Sequence, residues 1–152
     1  MTTRLKLSFI LPTAAMLLGG ASPAPQAGVD IDITVTGLRN DHGVIRACMT
    51  SQEDRFPKCR GVAQAYSAAV EAHAGPVTVT LRNVQPGRYA IALLHDENGN
   101  GRADRALGMM PKEGFGFSRD APVRMGPPRF DDAAFQMGET DKAMRIRMRY
   151  ML

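Results

Sequence analysis

From Val29 onward the chain alternates apolar and polar residues one for one. Val29, Ile31, Ile33 and Val35 fall on one side, and Asp30, Asp32, Thr34 and Thr36 on the other. A period of two is that of a strand with one buried face. Arg39-Asn-Asp-His-Gly43 follows and holds three residue types that tolerate positive φ. Val44–Met49 is therefore expected to return as the second arm of a hairpin. Ser51–Gly61 is a polar excursion, and the Ala-rich run Val62–Ala74 is read as a strand rather than a helix, because Tyr66, Ala68 and Val70 alternate with Ser67, Ala69 and Glu71. Val77–Leu81 is a β-branched strand, Val84-Gln-Pro-Gly87 a turn, and Tyr89–Leu94 an apolar run suited to a central strand. At the C-terminus Met144, Ile146, Met148 and Tyr150 alternate with Arg145, Arg147 and Arg149. About seven short strands separated by turns predict an all-β fold, an antiparallel sandwich. A long Gly-rich loop from His95 to Pro128 should lie between the later strands, too long to be mere connection.

The first residues follow a different pattern. Arg4 and Lys6 precede the apolar run Leu7–Leu18, and small residues cluster from Gly19 to Ala27. This order is that of a secretory signal peptide spanning residues 1–27, with cleavage expected between 21 and 27. The run is shorter than the roughly 20 residues of a spanning helix and contains Pro12. No transmembrane segment is expected in the mature chain, which would be one domain over residues 28–152, periplasmic or secreted. The 152 residues carry 19 basic and 15 acidic side chains, a net charge of +4. Losing Arg4 and Lys6 leaves 17 against 15, a net +2. That mixed charge, with 6% aromatic residues, argues against nucleic acid as a partner.

Export changes the reading of the two cysteines. Cys48 and Cys59 are an even pair, eleven positions apart, without the C-x-x-C spacing of redox or zinc sites. In an oxidising compartment they are expected to form a disulfide across the polar excursion.

Candidate chemistry concentrates in Asp96-Glu-Asn-Gly-Asn-Gly-Arg-Ala-Asp104. Oxygen side chains at Asp96, Asn98 and Asn100 alternate, Gly101 permits a sharp bend, and Asp104 closes the run. This spacing matches the first half of an EF-hand loop and makes the four residues candidate calcium ligands. Position twelve is Leu107 instead of a bidentate Glu, and Arg102 and Arg105 interrupt the set. Any calcium site should thus be weak, with a dissociation constant of about 10⁻⁴–10⁻³ M. The alternative is a loop whose Asx side chains cap its own amides. His42, His73 and His95 are scattered, and no Gly-x-Ser-x-Gly or His-Glu-x-x-His pattern occurs. An enzymatic alternative would be a small periplasmic hydrolase using His95 with Asp96 or Glu113. The methionines are read as core filling rather than copper ligands. The arginine stripe is read as a solvated strand edge rather than a site for anionic polymers.

Several motifs in order carry a resemblance. Pro86-Gly-Arg-Tyr89, Leu93-Leu-His-Asp-Glu-Asn-Gly-Asn-Gly-Arg-Ala-Asp104, Pro111-Lys-Glu-Gly-Phe-Gly-Phe-Ser118 and Gly126-Pro-Pro-Arg-Phe-Asp-Asp-Ala-Ala-Phe135 resemble an uncharacterised bacterial family, domain of unknown function 2141. The likeness runs from about Ile31 to the C-terminus. Met109-Met110 stands where that family usually shows a single residue before the proline. The resemblance implies an exported β-sandwich of transthyretin-like or carboxypeptidase-regulatory-like kind, without an assigned reaction, and the fold class expected is a transthyretin-like or immunoglobulin-like sandwich. Together these readings predict a non-catalytic binding module that meets an envelope or small-molecule partner through its Asp96–Phe135 face.

Overall fold

The computed structural model describes residues 27–106 and 110–152. The expected signal peptide, apart from Ala27, lies outside the described residues, as do Leu107 and Met109. In chain order the strands are β1 (Val29–Thr36), β2 (Val44–Thr50), β3 (Tyr66–Glu71), β4 (Val77–Val84), β5 (Gly87–Asp96), β6 (Arg105–Ala106), β7 (Met110–Pro111), β8 (Gly114–Phe117), β9 (Phe135–Met137) and β10 (Lys142–Arg147). A 3₁₀ turn at Ser118–Asp120 and a one-turn helix, α1 (Phe130–Ala133), complete the set. The alternation marks the longer strands. β6, β7 and β9 have two or three residues each, too few to leave a period in the sequence.

These strands form two main sheets. One has the order β10-β1-β4, and the other runs β3-β2-β5-β8 with β9 also on β5. β6 and β7 pair only with each other. The alternation seen in the sequence decides what faces inward. Ile31, Ile33 and Val35 of β1, Val77, Val79 and Leu81 of β4, and Ile146 of β10 pack against the second sheet's Ile45, Ala47 and Met49 of β2 and Ile91 and Leu93 of β5. Side chains buried to this degree contribute about 1.5–3 kcal/mol each, which makes this interlayer the main support of the fold.

Two pairing expectations are corrected. β1 and β2 do not form a hairpin. β1 is flanked by β10 and β4, while β2 is flanked by β3 and β5. The link at residues 37–43 has Gly37 and Gly43 at positive φ, and it carries the chain across to the opposite sheet. The sandwich is also not wholly antiparallel, because β10 runs parallel to β1 with Ile33 opposite Met144. β10 follows a long excursion over the other sheet, so no tight turn imposes an antiparallel return.

The Gly-rich stretch contains β8, whose Gly114-Phe-Gly-Phe117 has a steric explanation. A Cβ on Gly114 would come within 2.4 Å of the Tyr150 ring, and one on Gly116 within 2.9 Å of the Ile146 side chain. Glycine allows β8 to lie against the C-terminal segment, and Phe115 and Phe117 are turned to the opposite side of the sheet. The junction is sealed where Phe115 and Arg149 exchange backbone hydrogen bonds and Arg147 N–H donates to Asp120 Oδ1 at 3.0 Å. Arg145 and Arg147 remain exposed, whereas Arg149 is half-buried.

Candidate functional site

β5 ends at Asp96, and its carboxylate organises the loop that follows. Asp96 is fully buried. Its Oδ2 accepts hydrogen bonds from Arg46 Nε on β2 at 2.6 Å and from Gly101 N–H at 2.8 Å, and its Oδ1 accepts from Asn100 N–H at 3.0 Å. Burial by itself would raise the Asp96 pKa. The Arg46 bond and the two amides outweigh it and hold the carboxyl below its ordinary value. Gly101 sits at a φ of +75°, a left-handed conformation that glycine adopts without strain.

The rest of the loop closes on itself. Asn98 Oδ1 accepts from Asn100 N–H at 3.0 Å, and Asn100 Oδ1 from Arg102 N–H at 2.8 Å. Asp104 Oδ2 accepts both side-chain amides, from Asn98 at 2.7 Å and from Asn100 at 3.0 Å. The structure therefore brings Asp96, Asn98, Asn100 and Asp104 into one loop, with each engaged by a donor. No three His, Cys, Asp or Glu side chains are placed to hold a metal ion among the described residues.

Glu113 lies beneath this loop. It is 5% exposed, and its Oε2 accepts the Asp104 N–H at 3.0 Å. Its Oε1 is buried with no hydrogen-bond partner. Burial pushes its pKa up, and the negative charges of Asp104 and Asp96 push the same way, against the lowering effect of the Asp104 amide.

His95 is placed differently from an acid–base residue. It is fully buried, with Nε2 at 2.8 Å from the His42 carbonyl and Nδ1 at 2.7 Å from Tyr150 Oη. A carbonyl only accepts, so the network assigns the proton to Nε2 and makes Nδ1 the acceptor of the tyrosine proton. Tyr150 Oη in turn accepts the Arg39 N–H at 3.2 Å. Both ring nitrogens are thus held by groups other than Asp96 and Glu113. His42 and His73 are exposed, and His42 meets this ring through its backbone carbonyl alone. Glu97 points instead to Arg39 and Asn40, and the Arg39 bond brings its carboxyl below the ordinary value.

A cleft of about 750 Å³ lies on the outer face of the second sheet. Its floor is formed by the outward-facing residues of paired strands, Ala69, Ala92, Leu94 and Phe115. One wall is the segment Pro57–Arg60, fixed to β2 by the Cys48–Cys59 disulfide with a Cα–Cα distance of 5.7 Å. The other is Gly101–Ala103, positioned through Asp96 and Arg46. Arg60 Nη2 donates to the Gly101 carbonyl at 3.3 Å and joins the two walls. Of the four basic residues lining the cleft, Arg46 is paired with Asp96. Lys58, Arg60 and Arg102 form no ion pair among the described residues.

Arg46, Tyr150 and the basic rim were not singled out from sequence. One signal was present: Tyr89–Leu94 is apolar on both of its faces, and a strand of that kind needs cover, or a ligand, on its second face. No curated protein and no solved structure matches the chain. A family model described as "Uncharacterized protein conserved in bacteria (DUF2141)" matches residues 33–145. That span exceeds half of the chain and contains β2 to β9, both cleft walls and the Asp96–Asp104 loop, so the protein belongs to this uncharacterised bacterial family.

Proposed function

We propose that the protein is an exported, non-catalytic binding module and that its ligand surface is the cleft over β2, β5 and β8. The observation that carries this reading is the apolar floor. Leu94 and Phe115 turn out of a sheet whose other face already supplies the core, and the two walls leave room over them of the size ligand sites occupy, about 300–1,000 Å³. The disulfide supports export, since such bridges persist in oxidising compartments. Among the described residues no helix is long and apolar enough to cross a membrane. Binding is favoured over hydrolysis because His95 has both nitrogens committed inside the protein.

A neutral apolar fluorophore, N-phenyl-1-naphthylamine, tests the cleft. It should bind the parent protein, and Ala69→Trp, which fills the floor from an exposed position, should abolish the signal with the melting temperature unchanged. Equal binding by parent and variant would place the apolar site elsewhere. Export is tested by N-terminal sequencing of periplasmic protein, with a new terminus expected between 21 and 27.

A second reading keeps a weak calcium site on the Asp96–Asp104 loop. What favours it is Glu113, whose unpartnered buried oxygen lies beside Asp104 and supplies a carboxylate that the Leu107 position lacks. Millimolar calcium should then raise the melting temperature, with about 2.7 kcal/mol of stabilisation at a hundredfold excess over the dissociation constant. Glu113→Gln should remove that response. No shift in the parent at any millimolar concentration ends this reading.

A further inference from the structure

We propose that the cleft selects a free, single-chain amphiphile carrying one anionic headgroup: a carboxylate, sulfate or phosphate monoester on an aliphatic tail. The inference rests on the cleft being the ligand surface and adds the chemistry of what it takes.

The cleft has two chemically distinct parts. Its floor, from Ala69 across Ala92 and Leu94 to Phe115, is mostly carbon surface; the polar side chains on it are Ser67 on β3 and Arg46, whose Nε is committed to Asp96. An occupant of that floor must be apolar along most of its length, since burying an unpaired polar group there would cost about 1–3 kcal/mol. The rim is cationic. Lys58 and Arg60 come from the segment held by the disulfide, and Arg102 from the loop organised by Asp96. All three are exposed.

The charge on this rim is not balanced locally. Among the residues lining the cleft there is no Asp or Glu. Asp96, the carboxylate bonded to the lining residue Arg46, is occupied by that arginine together with two backbone amides. Three like charges on two facing walls repel one another, and a single anion placed between them relieves that repulsion. The same field disfavours a cationic headgroup and gives a neutral one nothing. The walls are also positioned beforehand by covalent and ionic ties, so little ordering opposes binding.

Both walls rise from the sheet and are joined by the Arg60–Gly101 bond, which suits a ligand small enough to lie between them. A bilayer surface is flat at this scale and would touch the rim without reaching Leu94. The occupant inferred is therefore the free amphiphile, and a membrane is an outcome to be excluded.

The test uses mature protein and three probes of equal tail length: dodecanoate, dodecanol and dodecyltrimethylammonium. Each competes with N-phenyl-1-naphthylamine below its micelle concentration. Dodecanoate should displace the dye at a concentration at least tenfold lower than dodecanol, with the ammonium compound weakest. Raising the salt concentration should narrow the gap, because the rim is exposed to screening. Lys58→Gln with Arg102→Gln should bring dodecanoate and dodecanol to within about twofold of one another, with the melting temperature as in the parent. If all three amphiphiles displace the dye alike, the anion selection is wrong and the cleft stands. If the dye binds but Ala69→Trp does not remove it, the cleft itself is wrong. Sedimentation with phosphatidylglycerol vesicles but no competition by dodecanoate would overturn the free-amphiphile assignment in favour of a membrane surface.

Discussion

The outer face of β5 is treated in two ways along its length. Near its start, Ala90 is completely buried beneath Phe117, Ala121, Phe130 and Ala133, a second apolar cluster separate from the main core. Four residues later Leu94 points the same way and is only half-buried, on the floor of the cleft. β2 pairs with β5 at both places, whereas β8 pairs with it from Ala92 to His95 and β9 from Gly87 to Tyr89, and the cover over the outer face differs as well. The segment from Ser118 to Ala134 folds back over the first half, tied down by Ser118 Oγ, which accepts the Ile91 N–H at 2.9 Å and donates to the Ala133 carbonyl. Phe56 adds edge-on contacts with Phe117 and Phe130. Over the second half the described residues supply two walls and no lid. A sheet with two apolar faces needs protection on both. Here the chain covers one half of the second face itself and leaves the other half available to something else.

Substitutions can break this contrast. The largest effect is expected for Phe130→Ala, which removes the anchor of the covering segment and should cost about 3–5 kcal/mol in urea unfolding. Leu94→Ala, in the open half, should cost under about 2 kcal/mol. It should nevertheless weaken dye binding, which Phe130→Ala should affect only through stability. Equal costs for the two would mean that the open half is as well packed as the covered one.

Next comes the wall itself. Replacing Cys48 and Cys59 together by serine frees the Ser51–Gly61 excursion and should cost about 3 kcal/mol through loop entropy. The same variant should bind the dye less tightly, because Pro57–Arg60 is no longer held against the sheet. Undiminished dye affinity would show that this wall is not part of the site.

The opposite wall depends on an ion pair. Arg46→Met leaves the Asp96 carboxylate buried with only its two amide donors, and the expected loss at neutral pH is about 1–3 kcal/mol. The pH dependence has a definite sign. Asp96 has a folded pKa below its ordinary value, so its stabilising contribution is full above the unfolded pKa and is lost as the pH falls through the folded one. Denaturation midpoints should therefore fall on acidification in the parent. In Arg46→Met the fall should begin at higher pH.

The smallest effect concerns Glu113, where the sign reverses. Its folded pKa is raised, so its contribution is full below the unfolded value and is lost as the pH rises through the raised one. Glu113→Gln retains a neutral side chain. Its melting temperature at neutral pH should equal or slightly exceed that of the parent, and the decline above the ordinary carboxyl range should flatten. A clear loss of stability at neutral pH would instead mean that the ionised carboxylate supports the loop.

Much of the site was legible in part. The spacing of Asp96, Asn98, Asn100 and Asp104 placed the loop, and the even cysteine pair placed one bridge, because both depend on residues close in sequence. What the spacing left open was what those oxygens hold. Asp96 takes Arg46, fifty positions away, and no local pattern names that partner. Glu113 stood in the sequence as a possible acid–base partner for His95. The fold instead sets it under Asp104 and gives the histidine to Tyr150 and the His42 carbonyl, contacts that exist only because β8 and the C-terminus converge on the end of β5.

The sequence by itself determined where the longer strands lie and, in those that alternate, which side is buried, since a period of two constrains each segment independently of its neighbours. It also determined membership of the family, through motifs that sit in order along the chain. Only the tertiary structure decided that β1 and β2 belong to different sheets, that β10 runs parallel to β1, that the phenylalanines of Gly114-Phe-Gly-Phe117 turn away from the core, and that a basic-rimmed cleft remains over Leu94. The physical reason is common to all four. Alternation specifies that a face must be buried, but not by what, and the choice among covers depends on contacts between segments tens of residues apart, whose free energies exist only once the chain has packed.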